Sequence, residues 1–132
     1  MDTDGLIHAG SGLDQVTWMD VRVGDWVATP RHGKPVEINA LWYNALCTMD
    51  MLQAKFGDND DSYRQLASLV KTSFNKRFWN ENTGCLYDVV DEDDDTIRPN
   101  QIYAVSLPFT MPDMEREKAI VDTVMDKLYV GC

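Results

Sequence analysis

The sequence predicts an all-α fold of helical hairpins, with a loop-rich N-terminal segment and little strand. Three observations support it: apolar residues recur at helical spacing after position 34, the helical segments have short polar links, and five of the eight glycines precede position 34. With 132 residues and a hydrophobic fraction of 44%, the chain can bury a core. We expect one domain over residues 1–132.

The N-terminal 34 residues are expected to be mainly loop because glycine favours turns. Two short extended segments are predicted within them, Val21–Val23 and Trp26–Ala28, turned at Gly24 and Asp25. Together they would form a small hairpin before the first helix.

The first long helix is predicted from Pro35 to Gly57. Proline suits the first helical position because its missing N–H has no helical partner there, and glycine commonly ends a helix. One apolar stripe runs along it, consisting of Ile38, Trp42, Ala45, Met49, Leu52 and Phe56. Other apolar residues lie off this stripe, which indicates a helix packed between neighbours.

Three further helices are predicted after the polar turn at Asp58–Asp61. Their expected bounds are Ser62 to Trp79, Asn100 to Leu107 and Asp113 to Tyr129. Ser62–Gln65 fits a capping box at the start of the second helix, which would form a hairpin with the first. Between the second and third helices, Cys85–Val90 is typical of a short strand.

Composition argues against several classes of partner. Asp and Glu number 22 against 12 Lys and Arg, which gives a net charge of −10 and a pI near 4.4. This charge repels nucleic acids and anionic membrane surfaces. No apolar run approaches the ~20 residues of a membrane span, and the N-terminus does not resemble a signal peptide. With three cysteines and no CxxC motif, the expected location is the cytoplasm.

Neither a metal nor a cofactor is expected. The acidic segments Asp58–Asp61 and Asp91–Asp95 lack the glycine and glutamate of a calcium-binding EF-hand loop, so solvated loops are favoured. His8 and His32 lack the helical spacing of a zinc-binding pair.

Residues 17–42 hold three of the four tryptophans among many charged residues. Asp20 follows two bulky residues, and burial against apolar surface disfavours a charged carboxylate, which suits a proton donor near neutral pH. Tryptophan faces also suit the C–H faces of sugar rings. The pattern leaves a second interpretation open, in which Trp18, Trp26 and Trp42 are core and Asp20 is a turn acceptor.

Other polar residues allow the same two interpretations. Glu37 lies near a helix start, where it would contact a ligand or stabilise the helix dipole. Asn100 and Gln101 are interpreted as exposed groups that contact a sugar or cap a helix.

Four blocks of sequence resemble the amylo-α-1,6-glucosidase region of glycogen debranching enzymes. They are TWMD at Thr17–Asp20, VATPR at Val27–Arg31, GKPVEINALWYNAL at Gly33–Leu46 and RPNQ at Arg98–Gln101. The resemblance extends from about Asp4 to Gly131. It implies that the helical hairpins form part of an (α/α)6 toroid with the active site at one end of the ring.

The resemblance also implies hydrolysis of α-1,6-linked glucose stubs in glycogen or limit dextrin, with inversion at the anomeric carbon. It assigns Asp20 as the general acid. The implied substrate-binding residues are Trp18, Arg31, Glu37, Asn39 and Gln101. Because the general base is expected beyond Cys132, we expect this chain to be a fragment that is inactive in isolation.

Two alternatives remain open. One is a non-catalytic carbohydrate-binding or assembly module, and the other is a different toroid glycosidase of glucoamylase-like or trehalase-like type. For the debranching enzyme, the expected partner is glycogen or a branched α-glucan. The apolar helix faces further predict self-association of the isolated chain.

Overall fold

The computed structural model describes residues 1–57 and 59–131. Across these residues the chain is mostly helical. The helices are α1 (Val36–Lys55), α2 (Ser62–Arg77), α3 (Tyr103–Ser106) and α4 (Met114–Leu128), and a 3₁₀ helix at Pro99–Ile102 leads into α3. Asp58 of the predicted polar turn and Cys132 lie outside the described residues.

Short strands make the fold not strictly all-α, which corrects the predicted fold class. The strands are β1 (Arg22–Val23), β2 (Trp26–Val27), β3 (Lys34–Pro35), β4 (Trp79–Asn80), β5 (Cys85–Leu86) and β6 (Val89–Val90). They pair antiparallel as β1 with β2, β3 with β6 and β4 with β5. The predicted N-terminal hairpin is confirmed. The predicted Cys85–Val90 strand is two strands, because its halves pair with different partners.

Helix α1 begins one residue later than predicted, because Pro35 is extended and pairs within β3. The predicted apolar stripe is not its buried face: Met49 and Leu52 are exposed, and Phe56 is 79% exposed. The fully buried apolar residues of α1 are Val36, Ala40 and Leu46. Neighbouring elements therefore cover a different side of α1 from the one that the stripe predicted.

Helix α2 packs against α1, as the predicted hairpin requires. Its buried face includes Val70 and Phe74, and the rings of Phe74 and Phe78 stack with centroids 4.4 Å apart. The predicted capping box is wrong, since the N-cap is Asp61 and Ser62 donates its hydroxyl to Asp60 at 2.9 Å. The acidic residues before Ser62 supply the acceptors instead.

The C-terminal helices follow their predicted positions with one change. The segment predicted as a helix from Asn100 to Leu107 is the 3₁₀ helix followed by one turn of α3. Asp113 caps α4, because its carboxylate accepts the N–H of Arg116 at 2.9 Å. Ile120 is fully buried, so α4 contributes to the same core as α1 and α2.

Gly33 allows the close approach of β3 and β6. Its φ is 110°, and a Cβ at this position would lie 2.6 Å from the carbonyl oxygen of Val90. A larger residue would therefore push the two strands apart.

The toroid arrangement of hairpins stays a prediction. No helix in residues 1–57 or 59–131 is both long and apolar enough to cross a membrane, and the cytoplasmic location also stays a prediction.

Candidate active site

Asp88 organises a buried polar cluster between β5 and β6. Its side chain is 2% exposed, and its carboxylate accepts hydrogen bonds from Arg31 Nε at 2.7 Å, Arg98 Nη1 at 2.5 Å and Asn100 Nδ2 at 2.8 Å. Charged partners make these bonds stronger than neutral ones. The sequence interpretation missed Asp88, although an acidic residue between buried apolar neighbours signals a buried charge that needs partners.

Arg31 joins this carboxylate to helix α1. It forms a bidentate pair with Glu37, in which Nη2 lies 2.7 Å from Oε2, and its Nη2 also lies 3.1 Å from Asp88 Oδ1. Burial opposes the charged guanidinium, but these carboxylates outweigh it and raise the pKa of Arg31. The structure therefore brings two predicted site residues, Arg31 and Glu37, into one cluster.

Arg98 closes the other side of the cluster. Its Nη1 contacts Asp88 and also lies 2.7 Å from Asp94 Oδ2, in the predicted acidic loop. Burial raises the pKa of Asp94, but hydrogen bonds from Thr96 and Arg98 outweigh that effect, so the pKa lies below its ordinary value. Part of the acidic loop is thus paired with cations.

Trp18 is connected to the cluster through Asn100. The indole Nε1 donates to Asn100 Oδ1 at 2.9 Å, while Asn100 Nδ2 lies 3.2 Å from Met19 Sδ. Trp18 is nevertheless 62% exposed. Its polar edge is held by the protein, and much of its side chain remains open to solvent.

The other tryptophans of residues 17–42 divide between surface and interior. Trp26 is 61% exposed, whereas Trp42 is half-buried and donates its indole N–H to the carbonyl of Gly5 at 3.0 Å. Neither sequence interpretation describes all three tryptophans.

Asp20 is fully buried in the loop that carries Trp18. One carboxylate oxygen accepts the N–H of Val16 at 2.7 Å, and the other accepts the N–H of Thr17 at 2.9 Å. These contacts match the alternative in which Asp20 is a turn acceptor. Its role as general acid stays a prediction.

Asn39 and Gln101 lie outside this cluster of side-chain contacts. Asn39 accepts the N–H of Ile7 at 2.7 Å and donates to the carbonyl of Pro35 at 3.0 Å. Gln101 accepts the N–H of Leu86 at 3.1 Å. The expectation that Asn100 and Gln101 are exposed is wrong, because both are at least 98% buried and bond to the protein.

A cleft of about 450 Å³ borders the cluster. Its lining residues are Pro30, Arg31, His32, Val89, Glu92, Asp93, Asp94 and Asp95. The surrounding carboxylates suit a neutral, hydroxyl-rich ligand better than an anion.

In the part of the chain that the structure describes, no three His, Cys, Asp or Glu side chains are grouped to hold a metal ion.

Comparison with protein families relates the complete protein to the glycoside hydrolases. The sequence model described as Amylo-alpha-1,6-glucosidase matches residues 1–131. The chain therefore belongs to the amylo-alpha-1,6-glucosidase family, and the resemblance to glycogen debranching enzymes is confirmed. Comparison with curated proteins gives no match.

Proposed function

We propose that the complete protein hydrolyses α-1,6-linked glucose stubs of glycogen or a related branched α-glucan, with inversion at the anomeric carbon. In this proposal, Asp20 is the general acid and Trp18 contacts the sugar. The observation that carries the proposal is the loop Thr17–Asp20, where an exposed indole and a buried carboxyl lie two residues apart in a chain of this family.

The reaction requires two carboxyl groups on opposite faces of the scissile bond. Asp20 gives its proton to the glycosidic oxygen as the bond to the anomeric carbon breaks. A water molecule attacks that carbon from the other face and loses a proton to a general base. In inverting enzymes the carboxyl groups lie about 6.5–9.5 Å apart, which leaves room for the water. We propose that the base lies outside these 132 residues.

Proton donation requires a change around Asp20. Both of its oxygens accept backbone N–H groups from Val16 and Thr17, so the acid must share or exchange one of these bonds to reach the substrate. The same turn is joined to the buried cluster at Trp18, so any such exchange would take place beside an indole that the protein holds. Trp18 is exposed and can already meet a sugar ring.

The remaining predicted substrate contacts have protein partners. Arg31 and Glu37 bind each other, while Asn39 and Gln101 bind backbone groups. Sugar contact by any of these four would require the present bonds to be shared. We therefore propose that these four residues mainly maintain the structure around Trp18. Any of them that contacts the sugar directly would have to exchange one of its present hydrogen bonds.

The general-acid role is tested by Asp20→Asn in the complete protein. Turnover of an α-1,6-branched limit dextrin is expected to fall about 10²–10⁴-fold, the usual range for general acid catalysis. Hydrolysis of α-glucosyl fluoride is expected to persist, because fluoride leaves without protonation. Asp25→Asn is the matched control, since the Asp25 side chain is 97% exposed. Full activity of Asp20→Asn on the dextrin would remove Asp20 from this role.

The burial of Asp20 favours a second candidate function. A carboxylate whose two oxygens bind the backbone also suits a non-catalytic carbohydrate-binding module, in which the loop only presents Trp18. Release of free glucose from the limit dextrin by the complete protein would support the hydrolase. Binding of the dextrin without glucose release would support the module.

A further inference from the structure

We propose that Asp88 and Asn100 are positioning residues that hold Trp18 as a fixed aromatic surface for a glucosyl ring. This inference rests on the proposed function for the identity of the ligand. The underlying contact chain runs from the Asp88 carboxylate to the Asn100 amide and from there to the Trp18 indole, with distances of 2.8 Å and 2.9 Å.

The two hydrogen-bond partners of Asn100, Trp18 and Asp88, determine how its amide is oriented. The indole N–H of Trp18 only donates, so it requires the amide oxygen. The carboxylate of Asp88 only accepts, so it requires the amide NH₂ group. A flipped amide would place donor against donor and acceptor against acceptor, and Asn100 therefore has one favourable orientation.

Asp88 is itself held from two sides. Arg31 reaches it from the loop before β3, and Arg98 reaches it from the residue before the 3₁₀ helix. Since Asp88 and Arg31 are both nearly fully buried, water competes little for these bonds. The carboxylate that orients Asn100 is consequently a fixed point of the structure.

An exposed side chain normally loses rotational freedom when it binds a ligand, and this loss weakens binding. Trp18 is 62% exposed, yet its indole N–H is anchored on a residue that is 1% exposed. Part of the rotational freedom of Trp18 is therefore already lost before a sugar binds. The Sδ of Met19 also contacts Asn100, so the same amide holds both residues that precede Asp20.

The contact is tested first without any substrate, by NMR of indole ¹H–¹⁵N groups in the complete protein. Trp18→Phe assigns the Trp18 resonance by removing it. Asn100→Leu, which has similar size and no amide, is expected to move that resonance and speed its hydrogen exchange about tenfold, the effect of one lost hydrogen bond. Trp26 is the matched control, because it is equally exposed and has no indole hydrogen bond in residues 1–57 and 59–131.

The positioning role is tested by a double-mutant cycle in the complete protein, with KM for a branched limit dextrin as the readout. Asn100→Leu is expected to raise KM about tenfold, with kcat changed less. Trp18→Phe keeps an aromatic ring but has no N–H. If Asn100 acts through that N–H, Asn100→Leu has little further effect in the Trp18→Phe background. Trp26→Phe should leave KM unchanged.

The outcomes separate this inference from the proposed function. A Trp18 resonance that is insensitive to Asn100→Leu overturns the contact, whatever the protein hydrolyses. Equal KM effects of Asn100→Leu in both backgrounds overturn the positioning role and indicate general structural damage. Failure of the unsubstituted complete protein to hydrolyse the dextrin contradicts the proposed function alone, because the NMR measurement does not depend on catalysis.

Discussion

Substitution of Arg31 by methionine should strongly destabilise the fold. The Arg31 side chain is fully buried and pairs with Glu37 and Asp88, whose side chains are 4% and 2% exposed. Asp88 would keep Arg98 and Asn100, but Glu37 would lose its bidentate partner. Removing one member of a buried ion pair costs about 3–5 kcal/mol, because the other charge is left buried without compensation.

The free energy of unfolding would be measured by urea denaturation, followed by circular dichroism. The control is Arg22→Met, because the Arg22 and Asp25 side chains are 42% and 97% exposed and such pairs contribute about 0–1 kcal/mol. The double variant Arg31→Met with Glu37→Leu should recover about 2 kcal/mol, since it removes the unpaired carboxylate.

Two results would refute this reasoning. The first is an Arg31→Met variant that loses no more stability than Arg22→Met, which would mean that the buried pair contributes as little as the surface pair. The second is a double variant that is no more stable than Arg31→Met alone. That result would assign the loss to packing of the arginine stem and not to the uncompensated charge on Glu37.

Three further predictions concern pH and assembly. Burial raises the pKa of Asp91, but hydrogen bonds from Arg77 and Lys34 outweigh that effect, so the pKa values of Asp91 and Asp94 both lie below the ordinary value of an aspartate. Their stabilisation is present above that ordinary value, and thermal unfolding temperatures should fall as pH drops below about 4. Burial raises the pKa of Tyr43 to about 12, so stability should fall as pH rises from 10 to 12, and Tyr43→Phe should reduce that fall. The isolated chain should self-associate through exposed α1 residues, and Leu52→Glu with Phe56→Glu should lower its sedimentation mass; a monomeric unsubstituted chain would contradict this.

The long helices could be predicted because their signals are local. Asp113 precedes an apolar pattern and caps α4, and the apolar spacing from Val70 to Phe78 marks the buried face of α2. The stripe on α1 misled the prediction for a physical reason. Periodicity shows that a helix face is apolar, but it does not show which neighbour covers that face.

The pairing of β3 with β6 could not be predicted from local pattern. Lys34 pairs with Val90 across a large sequence separation, and a two-residue strand has no periodicity to detect. The site depends on this pairing, because Asp88 lies just before β6. Family resemblance predicts Trp18 and Arg31 as substrate-binding residues, whereas the hydrogen bonds that connect them through Asp88 and Asn100 could be found only from the fold.

Gly33 separates two positions with different charged environments. Arg31 enters the cluster around Asp88, while Lys34 lies 3.0 Å from Asp4. Any side chain at position 33 would collide with the backbone of β6, so one substitution would disturb both sets of ion pairs. In a deep mutational scan, position 33 should therefore be as intolerant as a catalytic position, although glycine has no side chain to offer a substrate.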